Sequence, residues 1–144
     1  MTCASAVSPR IIHIAAALLL NADGQTLLVR KRATTAFMQP GGKIEAHELP
    51  VQALARELEE ELGLVIDPTQ ATFLGQFSAP AANEPGFVVQ AEIFQLTIDA
   101  EVSPAAEIEE VIWVDAAIDP VLELAPLTRD LILPFYRASL TRIA

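Results

Sequence analysis

Cysteine is nearly absent from this chain: Cys3 is the only one in 144 residues. A disulfide framework within the chain is excluded, and a reducing, cytoplasmic setting is the natural expectation. Histidine is scarce as well. His13 falls in an apolar run and His47 in a loop, so no Ser-His-Asp or Cys-His set stands out for nucleophilic catalysis. Basic residues are few, nine Lys+Arg against 19 Asp+Glu, for a formal net charge of −10. Such a field disfavours nucleic-acid polymers and anionic membranes, but leaves room for a small phosphate-bearing ligand held by local charge. The most apolar run, IIHIAAALLL (11–20), is too short to span a bilayer. Arg10 before it gives it the look of a signal-peptide core. The turn NADG and a second apolar run, QTLLV, follow at once and favour a buried strand.

What is present is apolar residue in quantity, 52% of the chain, enough for one well-buried core and too much for disorder. Residues 1–9 read as a loose, mobile tail ahead of a single domain over 10–144. Strands are expected at 10–20 and 25–31, joined as a hairpin through Asn21–Gly24. A loop follows over 32–48, with Pro40-Gly41-Gly42 at its centre. A helix is expected from about Leu49 to Leu62, since Pro50 suits a first turn and Val51, Leu54, Leu58 and Leu62 share one face. Further strands are expected at 71–79, 87–98 and 111–114, and a last helix at about 126–142. Strands that precede, separate and follow two helices predict an α/β fold, a mixed sheet packed between helices.

The stretch RELEEELG (56–63) breaks the rules for a solvated helix. Glu57, Glu60 and Glu61 repel at helical spacing, and they crowd the end where the macrodipole disfavours anions. At ~100° per residue the three span an arc of roughly 100° beside the buried leucines, while Glu59 points elsewhere. Two readings stay open from the residues alone. One is an acidic solvated face; the other is a hard-oxygen site for Mg²⁺ or Mn²⁺. The second predicts that Glu61→Gln stabilises the metal-free protein by about 0.3–1 kcal/mol.

The wider spacing extends that pattern: Gly42, five residues, Glu48, seven residues, Arg56-Glu57-Leu58, one residue, Glu60-Glu61, one residue, Gly63-Leu64. This resembles the complete signature of the Nudix hydrolases, and QPGG (39–42) and EIEEVIWV (107–114) also look like family features. The resemblance implies a Nudix-type α/β/α sandwich. It implies metal-dependent hydrolysis of a pyrophosphate bond in a nucleoside diphosphate linked to another group, a nucleoside triphosphate or a nucleotide sugar such as ADP-ribose. The alternative is a non-catalytic Nudix-fold module that senses a nucleotide. Such modules often lose the box glutamates, which this chain retains.

By the same resemblance, Glu57, Glu60, Glu61 and the carbonyl of Gly41 are expected to hold the metal, Mg²⁺ with Mn²⁺ as a substitute. Arg56 is expected to orient a glutamate, and Glu48 to pair with Arg56 or meet a metal through water. The general base is either a box glutamate, such as Glu60, or Glu107, six residues before Trp113; Glu109 and Glu110 are rivals. Arg30, Arg32, Gln39 and Gly42 are the expected substrate contacts. Strand alternation puts Arg30 and Arg32 on one face and Lys31 on the other. Gln39 stands where the family usually has an apolar residue, which suits a hydrogen bond to a base or ribose. The expected partner is a small nucleotide rather than a nucleic-acid polymer or a membrane, with a homodimer left open.

Overall fold

The computed structural model describes residues 10–115 and 121–141. The expected tail at 1–9 lies outside them. Strands β1 (Arg10–Leu20), β2 (Gln25–Lys31), β3 (Gly41–Lys43), β4 (Thr72–Pro80), β5 (Phe87–Thr97) and β6 (Ile108–Asp115) form one mixed sheet. Its order is β4-β5-β1-β2-β6, with β3 attached to β1. β1 and β5 run parallel along their whole length; the other pairs are antiparallel. Helix α1 (Pro50–Leu62) covers one face. A π-helical turn, Thr128–Ile132, leads into α2 (Leu133–Thr141) on the other.

The unbroken apolar run of β1 follows from this layering, because a central strand is buried on both faces. Ala15, Ala17 and Leu19 pack with Leu54, Leu58 and Leu62 of α1. Ala16, Leu18 and Leu20 pack with Ile132, Leu133 and Tyr136 on the α2 side. Each fully buried leucine contributes about 1.5–3 kcal/mol of transfer free energy. Among the described residues no helix is long and apolar enough to cross a membrane.

Four departures from the expected elements stand out. The loop over 32–48 contains β3, whose three residues pair Ile14 with Lys43, Ala15 with Gly42 and Ala16 with Gly41. The last helix starts at 126 as expected but is interrupted by the π-helical turn at Thr128–Ile132, and the final strand starts three residues earlier than its apolar pattern. The fourth departure is a fork. β1 meets β2 at Leu20 and Thr26, whereas lower down β3 takes the place beside β1. The segment Met38–Pro40 is wedged between the two banks. Met38 exchanges hydrogen bonds with Val29 on β2, and the Pro40 carbonyl accepts from the Ala17 N–H on β1 at 2.9 Å.

Candidate metal and phosphate site

Helix α1 supplies the acids. Its first turn is fixed by Pro50 and by Gln52, whose side-chain oxygen accepts from the Leu49 N–H at 2.9 Å. It stops at Gly63, which adopts the left-handed conformation (φ 64°) and donates to the Glu59 carbonyl. The last two carbonyls of the helix also find donors. Ala105 N–H reaches Glu61 O at 2.9 Å and Ser103 N–H reaches Leu62 O at 3.1 Å. The loop before β6 is thereby docked on the helix end, and Arg32 N–H donates to the Glu107 carbonyl at 2.9 Å. These bonds carry Glu107 into the neighbourhood of Glu61.

A cavity of about 560 Å³ opens at the fork. Glu57 and Glu61 line it, together with Gly41, Gly42, Lys31 and Glu107. The two glycines are sterically required. A Cβ on Gly42 would stand 2.4 Å from the Glu57 carboxyl carbon, so the carboxylate fills the space a side chain would need. A Cβ on Gly41 would stand 2.2 Å from the Ala15 carbonyl, and its φ of 151° disfavours any other residue.

Arg56 holds the arrangement from behind. Its guanidinium donates to both oxygens of Glu48 at 2.9 Å, to Glu57 Oε2 at 2.7 Å and to the Lys43 carbonyl at 3.0 Å. The hydrogen bonds from Arg56, then the Glu45 N–H, hold the Glu48 carboxyl down at about 2. The same contacts raise Arg56, the Glu48 bond most. Arg56 precedes Glu60 by one helical turn, yet its fork is spent on Glu48 and Glu57.

Glu61 is the anomaly. Only 2% of it is exposed, and among the described residues its carboxyl has a single hydrogen bond, a long one from the Gly41 N–H, 3.3 Å. Burial pushes its carboxyl up to about 8, with the neighbouring Glu57 charge adding to the effect and the Gly41 bond opposing it. A buried carboxylate with unused lone pairs beside a second carboxylate is a site short of positive charge. Glu60 is exposed and is not among the lining residues. Among the described residues, no three carboxylate, imidazole or thiol groups stand together as a complete metal cage. Glu57 and Glu61 are nevertheless a hard-oxygen pair in need of a cation, which fits Mg²⁺ or Mn²⁺.

The expected substrate contacts need correction in part. Arg30 and Arg32 do not line the cavity. Arg30 is held by Glu110 and by the Thr34 carbonyl, and Arg32 lies beside Glu109 at 3.8 Å. These pairings also occupy Glu109 and Glu110. Lys31 is the basic residue that faces the cavity, 3.2 Å from Glu107; β2 ends at Lys31, so Arg32 lies in the following turn and outside the expected alternation. Gln39 touches the cavity while its amide is committed elsewhere. Its Oε1 accepts from the Thr128 hydroxyl at 2.7 Å, and its Nε2 makes a long contact to the Ala17 carbonyl at 3.5 Å. It ties the wedge to the π-helical turn instead of waiting for a base. His13 bonds Glu92 on the sheet, and His47 is an exposed turn residue; neither lines the cavity.

A family model for the NUDIX domain matches residues 10–131. An 8-oxo-dGTP diphosphatase of Haemophilus influenzae is 47% identical over 60 residues, 39% of this chain and 44% of that protein. An RNA pyrophosphohydrolase of a Marinomonas species is 42% identical over 59 residues, 41% of this chain and 35% of that protein. The chain thus spans less than half the length of these curated relatives. The crystal structure of a MutT protein from Methanosarcina mazei Go1 superposes with a TM-score of 0.72. It covers 93% of this chain and 98% of that one at 23% identity, a likeness of fold.

Proposed function

The chain belongs to the Nudix family, and from that premise we propose that it hydrolyses a pyrophosphate bond in a nucleoside diphosphate linked to another group. The substrate class is a nucleoside triphosphate or a nucleotide sugar such as ADP-ribose, and the cofactor is Mg²⁺, with Mn²⁺ able to replace it. The observation that carries this reading is the buried Glu61 beside Glu57, packed against Gly41 and Gly42 in one cavity.

Glu57, Glu61 and the Gly41 carbonyl would hold the cation, and Glu60, which lies outside the cavity lining, would reach it only through water. Bound there, the cation supplies charge neutralisation for the pyrophosphate and acidifies a coordinated water. The chain's own groups do the rest. Arg56 fixes the Glu57 carboxylate through a 2.7 Å bond while its other arm is anchored on Glu48. Outer partners of this kind set the orientation of a ligand. Lys31, the cation of β2 that faces the cavity, attracts phosphate oxygens, and the Gly42 backbone lets them approach closely. Glu107, across the cavity from Glu61, takes the proton of the attacking water; a box glutamate, Glu60, is the alternative base.

The resident acids argue against a module that only senses a nucleotide. Formation of the nucleoside monophosphate from a panel of nucleoside triphosphates and nucleotide sugars, with Mg²⁺ and with chelator, tests the proposal. Turnover with metal and none without is expected. Equal turnover after exhaustive metal removal, or cleavage of non-nucleotide phosphates alone, would overturn it.

A further inference from the structure

The cavity has a second end that the phosphate chemistry leaves unused. On β1, Gly41 pairs with Ala16, whereas the lining residue Ile12 lies four residues earlier. At ~3.3 Å per residue this is about 13 Å along the strand. Here the lining changes character: Ile12, Ile14 and Val89 form an apolar wall. Above it stands the loop joining β4 to β5, which contributes Asn83 and Glu84 to the lining. The loop is closed by two backbone bonds, Ala81 N–H to Phe87 O at 3.0 Å and Phe87 N–H to Glu84 O at 3.1 Å. Among the described residues, neither the Asn83 amide nor the Glu84 carboxylate has a side-chain hydrogen bond or ion pair.

On the reading that the other end holds the pyrophosphate, we infer that Asn83 and Glu84 are specificity-determining residues for a nucleobase bearing an exocyclic amino group. The apolar wall suits the face of a base, and the distance along β1 separates it from the phosphates. The polar edge of the base then meets the loop. A carboxylate only accepts hydrogen bonds, and an amide both donates and accepts. The pair therefore presents an excess of acceptors. Adenine, guanine and cytosine answer with an amino donor next to a ring acceptor or N–H. Asparagine meets the adenine edge in this way, through one donor and one acceptor. Uracil presents a carbonyl where cytosine has its amino group, and hypoxanthine where adenine has it; each lacks the amino donor and offers Glu84 only its ring N–H.

The test compares substrates that differ at that group and the ring nitrogen beside it, ATP with ITP and CTP with UTP, in the full chain with Mg²⁺. Equilibrium titrations of AMP and IMP run beside it and need no turnover. Wild type is expected to favour the amino base about tenfold in kcat/KM and in affinity. One good paired contact to a base edge is worth roughly that factor or more. In Asn83→Ala and in the Asn83→Ala/Glu84→Ala pair the ratio should fall toward one through KM, with kcat changed less than twofold. Folding of each variant is checked by its melting temperature and by an unchanged Mg²⁺-induced shift. Equal use of ATP and ITP by wild type, with equal binding of AMP and IMP, would overturn the inference. So would a preference that survives in the double variant. Absence of all turnover with AMP still preferred over IMP would overturn the hydrolase reading and support this one.

Discussion

Removing the charge of Glu61 should make the metal-free protein more stable, and by an amount that depends on pH. The carboxyl is held near 8 in the folded chain against an ordinary value of 4.5. Between those limits the folded state keeps a proton that the unfolded state has released, so stability falls as pH rises. At 1.36 kcal/mol per unit, the loss approaches about 3 kcal/mol at pH 7. It levels off at roughly 5 kcal/mol above pH 8. Glutamine keeps the oxygen that accepts from Gly41 and cannot ionise. The Glu61→Gln chain should therefore match wild type near pH 4.5 and exceed it increasingly up to pH 8. At this chain length the gap at pH 7 is ~10 °C in Tm. Thermal melts of both chains with chelator, at several pH values, give the difference directly. Taking the difference cancels groups common to both, such as Glu48, whose depressed carboxyl makes stability fall below pH 4.5 instead. Parallel curves would show that Glu61 is ionised in the folded protein and that its burial is relieved by something unseen. A glutamine variant less stable than wild type at pH 8 would refute the reasoning outright.

Other outcomes follow from the same geometry. Mg²⁺ must displace the Glu61 proton, so its apparent affinity, read by titration calorimetry, should rise up to tenfold per pH unit and flatten near pH 8. Glu107→Gln should lower kcat by about 10²–10⁴ with little change in KM if Glu107 is the base; a change below threefold would return that role to Glu60. Gly42→Ala drives a methyl into the Glu57 carboxyl, which should cost about 1–3 kcal/mol in denaturant melts and most of the activity. Arg56→Lys keeps the charge but loses the fork onto Glu48 and Glu57, and a 10–100-fold loss of activity or metal affinity is expected.

The layered α/β fold was legible because its main elements carry strong local signals. β1 is a continuous apolar run, α1 has a leucine stripe with Pro50 and Gly63 at its ends, and turn residues separate the strands. β3 was not legible. Gly41-Gly42-Lys43 has no apolar alternation, and it is a strand only because β1 offers a free edge at the fork. The acids of the site could be read from spacing, but their environments could not. From sequence, Glu61 is one exposed-looking acid among four, and its cost was set at a surface value of about 0.3–1 kcal/mol. Its burial depends on the wedge from 38 to 43 and on the loop at 103–107, both remote along the chain. That Lys31 rather than Arg30 meets the cavity is a tertiary fact, and Arg32 falls in a turn beyond the strand, where alternation has no say. The commitment of Gln39 was invisible for the same reason, since Thr128 is 89 residues away.

The fork also sets a rule for how the chain can change length. Met38 is pinned to β2, Pro40 to Ala17, and Gly41 through Lys43 to β1, so the segment is threaded between two banks with no slack. One residue inserted after Met38 would reverse the pleat of everything up to Lys43. The N–H that now points at Glu61 would turn away, and the space now filled by the Glu57 carboxylate would receive the wrong residue. The stretch 33–36, upstream of these pins, is tied at Thr34 to Lys31 and Arg30 but pairs with no strand and so has no pleat to keep. Insertions there should be absorbed, whereas a single extra residue a few positions later should leave a folded sheet with its acids and glycines out of step.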